Sequence, residues 1–161
     1  MIKIGDSIPS VKLRHLEADG TMGEVDTAAL FKGKTAVLFG VPGAFTPTCT
    51  NKHIPGFIEQ AEALKKKGVQ DVYCVAVNDV FVMKAWGNAV KAAGKVSMIA
   101  DGNGAFIDAL GLAWDASVAQ LGKRGRRFAM LVKDGKVEKL NAEDTGGLTC
   151  STADDVLKML G

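Results

Sequence analysis

The chain has few of the residues that staple small folds or bind metals: of its 161 residues, three are cysteine and two are histidine. A small, odd number of cysteines excludes a disulfide-stapled scaffold and leaves at least one thiol without a partner in the chain. Neither histidine is accompanied by a Cys-x-x-Cys pair, so we expect no zinc site. The longest apolar stretch is too short to cross a bilayer, and we expect no membrane span.

Charge of one sign is not in excess either, because Lys+Arg 20 against Asp+Glu 18 leaves a net charge of +2. This balance argues against a nucleic-acid-binding surface. The basic stretch at residues 123–127 has no interleaved aromatic residues, and we interpret Arg124 and Arg126 as side chains of a solvated loop. The first residues do not resemble a signal or transit peptide, so we expect a cytoplasmic protein with reduced cysteines.

Hydrophobic periodicity predicts a single α/β domain over residues 1–161, with a mixed central sheet flanked by helices. Alternation at 11–16 is typical of a half-buried strand, and continuous apolar runs predict strands buried on both faces at 36–41, 72–77 and 96–100. Asp134-Gly135 between two apolar runs predicts an antiparallel hairpin near the carboxyl end.

Helices are expected between these strands. A 3.6-residue apolar stripe covers residues 48–67, and Pro55 within it predicts a kink or break after a short first piece that carries Cys49. Asp79 is expected to cap a helix that buries Val82 and Trp86 and stops at Gly94. Residues 151–154 read as a capping box that starts the last helix.

The segment that carries chemistry is Pro42-Gly43-Ala44-Phe45-Thr46-Pro47-Thr48-Cys49. It leaves a buried strand and enters a helix, which is where α/β folds place their sites. Amides of the first helical turn favour the thiolate of a cysteine held there. The hydroxyl of Thr46 stands three residues earlier, and two prolines stiffen the loop. These features favour a reactive Cys49 over an inert buried one.

The spacing Pro-x-x-x-Thr-x-x-Cys after an apolar strand resembles the active-site signature of peroxiredoxins, and the segment from Gly40 to Cys49 is similar to the peroxiredoxin-5 or type II subfamily. Further matches are His53-Ile54-Pro55-Gly56-Phe57, Val77-Asn78-Asp79, Lys84-Ala85-Trp86-Gly87, Arg127-Phe128-Ala129-Met130 and Gly147-Leu148-Thr149-Cys150. The resemblance implies a thioredoxin-like fold, reduction of hydrogen peroxide and alkyl hydroperoxides, and a homodimer.

The resemblance also implies roles for individual residues. Cys49 would attack the peroxide, Thr46 and the first-turn amides would hold it, and Arg127 would stabilise the thiolate and the developing charge. Pro42 would shield Cys49 from water, although a simple strand-ending proline is the alternative. Thiolate chemistry on a peroxide needs no metal, flavin or haem, so no cofactor is expected.

The sequence leaves three alternatives for the thiol that reduces the Cys49 sulfenic acid and so completes the catalytic cycle. Cys150, which follows the flexible loop expected at residues 146–149 and precedes the last helix, matches the resolving position of animal-type members. Cys74 is similar to a cysteine of some plant-type members, but its buried strand favours a core residue. An external thiol (glutathione, glutaredoxin or thioredoxin) is the third route to reduce the sulfenic acid.

Two other functions compete with a thiol peroxidase. A disulfide reductase or isomerase of the same fold would need the Cys-x-x-Cys pair that is missing here. A redox sensor or holdase would use the same Cys49 thiolate without catalytic turnover, and the sequence separates it poorly from an enzyme. Multiple-turnover consumption of peroxide distinguishes the two.

Overall fold

A five-stranded sheet forms the centre of the computed structural model, which describes residues 1–144 and 147–161. The strands of the described chain are β1 Lys12–Leu16, β2 Met22–Asp26, β3 Thr35–Gly40, β4 Asp71–Ala76, β5 Ser97–Ala100, β6 Ala113–Asp115, β7 Lys123–Gly125, β8 Phe128–Lys133 and β9 Lys136–Ala142. The central sheet has the order β5-β4-β3-β8-β9. Its first three strands are parallel, whereas β8 runs antiparallel to β3 and to β9.

Helices pack on both faces of this sheet. They are α1 Thr27–Phe31, a π-helical turn Cys49–His53, α2 Ile54–Glu59, α3 Ala61–Lys66, α4 Val80–Ala89, α5 Ala105–Leu110, a 3-10 turn Ser117–Ala119 and α6 Ala153–Leu160. None of the helices in the described ranges is long and apolar enough to cross a membrane. The predicted architecture, a mixed sheet flanked by helices, is confirmed.

Alternate residues of β3 enter two different hydrophobic cores. Val37 and Phe39 face the core that includes Phe57, whereas Ala36 and Leu38 face the core on the opposite side of the sheet. Successive side chains of a strand point to opposite faces, so a strand covered on both sides must be apolar throughout. This explains the continuous apolar run and confirms the predicted buried strand.

The carboxyl-terminal hairpin is confirmed, and a second hairpin was not predicted. Asp134 and Gly135 both have positive φ (46° and 77°) in the turn between β8 and β9, the backbone that a two-residue hairpin of this kind requires. At the other end of the chain, β2 pairs with β1. Its residues are only half-buried or exposed, so β2 lacks the apolar run by which β3, β4 and β5 were predicted. The short strands β6 and β7 were not predicted either.

The helix does not break at Pro55 as predicted. A short first helical segment does carry Cys49, as expected. The amide of Ile54 donates to the carbonyl of Cys49, which makes this piece a π-helical turn, and Pro55 then occupies the first turn of α2, where a missing amide is tolerated. The interruption comes instead at Gln60, whose φ and ψ of −92° and 8° leave the helical region.

Of the two predicted helix caps, the one at Asp79 is confirmed and the one at residues 151–154 is displaced by one residue. Asp79 does cap α4, by accepting from the amides of Phe81 and Val82, but that helix buries Val80, Met83 and Trp86 and ends at Ala89, before Gly94. The capping box of α6 lies one residue later than predicted and joins Thr152 to Asp155. Ser151 is not the cap because its amide and hydroxyl bind Glu143 instead.

Candidate active site

The loop that follows β3 is folded back on itself by one carbonyl group. The carbonyl of Gly43 accepts from the hydroxyl of Thr46 at 2.7 Å and from the amide of the same residue at 3.4 Å. Between them Phe45 has a φ of 64°, which is uncommon for a residue other than glycine. The Thr46 hydroxyl has therefore placed its hydrogen on the loop and keeps its oxygen as an acceptor.

Cys49 lies at the start of the helical segment, with a side chain that is fully buried. The first helical hydrogen bond runs from the amide of Thr50 to the carbonyl of Thr46 at 3.0 Å. The amides of Thr48 and Cys49 come before that bond, so they belong to the donors that a helix leaves at its amino-terminal end. Such donors stabilise negative charge beside the sulfur.

The antiparallel pairing of β8 with β3 brings Arg127 to the sheet edge where the Cys49 loop begins. Gly40, the last residue of β3, pairs with Phe128, so Arg127 stands at the edge where the Cys49 loop begins. Ala129 belongs to the same core as Cys49, and residues two apart in a strand share a face. The Arg127 side chain, only 3% exposed, therefore lies on the Cys49 side of the sheet.

His53 links Arg127 to the segment that carries Cys150, and sequence analysis assigned it no role. Its Nδ1 lies 3.2 Å from Nη1 of Arg127, and its Nε2 lies 2.8 Å from the carbonyl oxygen of Ser151. Burial and the Arg127 charge lower the pKa of His53 to about 4. A neutral ring donates from Nε2 and accepts at Nδ1, and both contacts fit these roles. The signal in the sequence was its position four residues after Cys49, on the same helical face.

The interpretation of Arg124 and Arg126 as solvated loop residues is wrong. Arg124 lies in β7 and donates from Nη1 to the carbonyl of Pro42 at 3.2 Å, and Arg126 donates from Nε to the carbonyl of Glu143 at 2.8 Å. A β-carbon on Gly43 would come within 2.5 Å of the Arg124 guanidinium, so a larger residue there would displace that guanidinium from its place beside the loop. The charge of the two side chains favoured exposure to solvent. Instead, their guanidinium groups donate to backbone carbonyls that a tight loop leaves without partners.

Two further side chains fix the loop and the helix that surround Cys49. The carboxamide oxygen of Asn78 accepts from the amide of Ala44 at 2.9 Å, which ties the loop to the end of the neighbouring strand β4. The indole of Trp86 donates to the hydroxyl of Thr50 at 3.1 Å. The sequence indicated Asn78 only as part of a resemblance, and Trp86 as part of a resemblance and as a buried residue of its helix. Their contacts make them positioning residues.

The other two thiols lie in contrasting surroundings. Cys74 is fully buried in β4, where burial and then the nearby Cys49 raise its pKa well above the usual value, against the effect of Arg127. Cys150 is half-buried, next to α6. Burial and the charge of Glu143 raise its pKa as well. Both environments therefore favour the neutral thiol over the thiolate.

The Cys150 segment, residues 149–151, is held mainly by one carboxylate. Glu143, 4% exposed, accepts from the amides of Thr149, Cys150 and Ser151 at 2.8 to 3.0 Å and from the two hydroxyls of the segment. Burial acts to raise the pKa of Glu143, but these hydrogen bonds outweigh it and lower the pKa to about 2. Of the loop expected before Cys150, Gly146 lies outside the described residues.

The site as a whole can hold an anionic sulfur and receive a second negative charge. It combines a buried cysteine at a helix start, a guanidinium on the same face of the sheet, and a hydroxyl oxygen three residues before the sulfur. The described residues contain no cluster of three His, Cys, Asp or Glu side chains that fits a metal ion. Thiolate attack on an electrophilic oxygen is the chemistry that this arrangement supports.

Comparison with known proteins gives similarities that run the length of the chain. A family model described as Redoxin matches residues 3–157. Peroxiredoxin-2B of Arabidopsis thaliana is 47% identical over 159 residues, and peroxiredoxin-2C of Oryza sativa subsp. japonica is 48% identical over 159 residues; each alignment covers 99% of this chain and 98% of the relative. The crystal structure of reduced Prx3 of Vibrio vulnificus in complex with H2O2 has a TM-score of 0.94 at 43% identity and covers 100% of both chains.

Proposed function

This chain belongs to the Redoxin family and is a peroxiredoxin with a thioredoxin-like fold, and on that premise we propose that Cys49 is the thiolate that attacks the peroxide. The protein is a thiol peroxidase that reduces peroxide and acts in redox defence. The family predicted from residues 40–49 is thereby confirmed. The observation that carries the assignment to Cys49 is that Arg127 lies on its side of the sheet, at the end of β3.

The first step is an in-line displacement at one peroxide oxygen. The Cys49 thiolate forms the S–O bond and the O–O bond breaks, so that RS⁻ and R′OOH give RSOH and R′O⁻, which takes up a proton as water or alcohol. The Arg127 guanidinium stabilises the thiolate and the charge that moves to the leaving oxygen. Neutral His53 keeps that guanidinium in place through the contact at Nδ1.

Thr46 and the backbone amides hold the peroxide in line with the sulfur. The Thr46 oxygen, with its own hydrogen donated to Gly43, accepts from the peroxide hydroxyl, while the Cys49 amide donates to a peroxide oxygen. The Vibrio vulnificus structure with bound H2O2 supports a peroxide site in a chain of this fold. Buried Pro42 limits access of water to Cys49 and so slows its further oxidation.

Cys150 is the resolving thiol of this proposal, since Cys74 is part of a central strand and cannot move without breaking its ladder. The Cys49 sulfenic acid and the Cys150 thiol condense to a disulfide and water. The disulfide is then reduced by thioredoxin or by glutathione with glutaredoxin, and the cytoplasm supplies these thiols. If Cys150 does not react with the sulfenic acid, the external thiol attacks the Cys49 sulfenic acid directly.

A homodimer completes the proposal. Phe45 and Phe81 are 53% and 64% exposed, and they follow the neighbouring strands β3 and β4 at the edge of the sheet that carries Cys49. Large exposed aromatic side chains are enriched at protein–protein interfaces. Sedimentation equilibrium of the reduced protein and of Phe45→Ser tests this; a reduced protein that stays monomeric at high concentration contradicts it.

One experiment tests the thiol assignments together. The reduced protein is treated with one equivalent of hydrogen peroxide, and intact mass and peptide mapping locate the oxidised cysteine. We expect a Cys49–Cys150 disulfide in the wild type and a Cys49 sulfenic acid in Cys150→Ser. Oxidation that begins at Cys74, or turnover that survives in Cys49→Ser, contradicts the proposal. Multiple-turnover consumption of peroxide with a dithiol separates the enzyme from a redox sensor.

A further inference from the structure

We propose that Glu143 is a positioning residue that locks the Cys150 segment in its folded place and thereby sets how fast Cys150 reduces the Cys49 sulfenic acid. The inference rests on the proposed function, because it takes Cys150 as the resolving thiol. It goes beyond that function by naming the contact that must break before resolution.

Among the described residues, seven hydrogen bonds from three side chains hold residues 149–151. Five of them end on the Glu143 carboxylate, a sixth runs from the side-chain Nδ2 of Asn141 to the Cys150 carbonyl at 2.8 Å, and the seventh joins His53 to the Ser151 carbonyl. Hydrogen bonds to a charged acceptor are stronger than those between neutral groups. Glu143 is therefore the main restraint on the segment.

Glu143 itself is fixed to the sheet beside the peroxide site. Its amide donates to the carbonyl of Arg127 at 2.8 Å, directly beyond the pairing of Ala142 with Phe128. Opposed residues of neighbouring strands present their side chains on the same face. The lock on Cys150 and the guanidinium that serves Cys49 therefore stand opposite each other at one sheet edge.

Resolution requires this lock to open. Cys49 and Cys150 are both free thiols; the first is buried in the core, whereas the second is outside that core and bonded through its own amide to Glu143. A disulfide needs the two sulfurs about 2.05 Å apart with a restricted geometry. While the segment is locked, burial and the Glu143 charge also keep the pKa of Cys150 raised, so the attacking thiolate is scarce.

The chemistry of the step is the condensation already given: Cys49–SOH and HS–Cys150 form the S–S bond and release water. Glu143 takes no part in bond making. Release of the segment from Glu143 is the slow event, and sulfenic acid that waits for it remains exposed to a second peroxide, which converts it to sulfinic acid. Glu143 thus sets the balance between resolution and further oxidation.

The test compares Glu143→Gln with Glu138→Gln, the same substitution at a half-buried position on β9, where the native carboxylate contacts only Lys133 among the ion pairs of the described chain. Rapid mixing with one equivalent of hydrogen peroxide, followed by acid quench and mass analysis, gives the rates of Cys49 oxidation and of Cys49–Cys150 disulfide formation. Deuterium uptake of the peptide 147–152 in the reduced protein measures opening of the segment independently of any chemistry.

In Glu143→Gln we expect about tenfold faster deuterium uptake and about tenfold faster disulfide formation per sulfenic acid formed, with less sulfinic acid in excess peroxide. Glu138→Gln should match the wild type in all three. Thr149→Ala removes one hydroxyl donor from Glu143 at an exposed position, so it should fold normally and shift both rates in the same direction by a smaller factor. It keeps the test decisive if Glu143→Gln is unstable.

Several outcomes overturn the inference. Unchanged deuterium uptake would show that Glu143 is not the lock, and faster uptake with an unchanged disulfide rate would show that opening does not limit resolution. A Cys49 sulfenic acid that never bonds to Cys150 in any variant would remove the inference and the resolving role while Cys49 kept its assignment. Peroxide that leaves Cys49 unoxidised would instead overturn the proposed function itself.

Discussion

The segments that carry Cys49 and Cys150 are held by different kinds of contact. Cys49 stands in a helical turn that follows a central strand, where a backbone hydrogen bond to its carbonyl and packing in the core hold it. The Cys150 segment belongs to no helix or strand, and its backbone amides bind one side chain, Glu143. The difference teaches that the fold itself positions the first thiol, whereas a few side chains, chiefly the Glu143 carboxylate, position the second. Substitutions should therefore affect the two separately.

The largest effect separates the two thiols directly. Cys49→Ser should lower peroxide consumption by about 10³-fold or more, since no other described group can replace the nucleophile. Cys150→Ser should leave the first oxidation of Cys49 within about twofold of wild type, because that step needs no movement of the Cys150 segment. Stopped-flow competition for peroxide against a second peroxidase measures both. A Cys150→Ser protein with a slow first oxidation would show that the two regions are not independent.

The next effect tests the charge that serves Cys49. Arg127→Ala should slow oxidation of Cys49 by about 10² to 10³-fold, the usual loss when a donor to developing charge is removed. Arg127→Lys keeps the charge but not the planar donor set, so an intermediate loss is expected. Arg14→Ala on exposed β1 is the matched control. Equal rates of Cys49 oxidation in Arg127→Ala and in the control would contradict the proposed role of Arg127.

The elements that could be predicted from the sequence are those whose local residue pattern matches the burial that the folded protein imposes on them. The apolar run of β3 and the Asp134-Gly135 turn each admit one structure, so their elements were predicted correctly. Cys49 was predicted at a helix start for the same reason. The contacts of Arg124, His53 and Glu143 were not predictable, because each partner lies 17 or more residues away or forms part of a loop without periodicity. Local spacing indicates that His53 lies on the face of Cys49, but it does not indicate which distant residues His53 contacts.

His53 bridges the two regions, and its protonation should weaken the whole fold. Its pKa is lowered in the folded protein to about 4 from 6.5, so the unfolded chain binds the proton more readily. Stability is therefore full above pH 6.5 and falls as pH drops from 6.5 towards 4, by on the order of 2 kcal/mol at pH 4.5. His53→Asn, which keeps an acceptor near Nδ1 but does not titrate, should lose much of this slope. Urea unfolding at pH 7.5 and pH 4.5 measures it.

Glu143 contributes in a separate pH range. Its pKa is lowered to about 2 from 4.5, so its contribution to stability is present above pH 4.5 and is lost as pH falls from there towards 2. A loss of stability confined to pH below 4.5, with none between 6.5 and 4.5, would contradict the assignment of a buried neutral His53. As the pH is lowered, the contact of His53 with the Cys150 segment is therefore lost first and that of Glu143 is lost second.

The smallest effect on activity concerns Cys74, which lies beside Cys49 but belongs to neither region. Its thiol is fully buried among apolar side chains of the core, in the middle of the β3–β4 ladder. Cys74→Ala should keep peroxide turnover within about twofold and lower the free energy of unfolding by about 1 to 2 kcal/mol, as for other small core truncations. Turnover with a dithiol and urea unfolding measure these. A large loss of turnover with unchanged stability would make Cys74 a participant in the cycle, because a core residue without chemistry affects stability first.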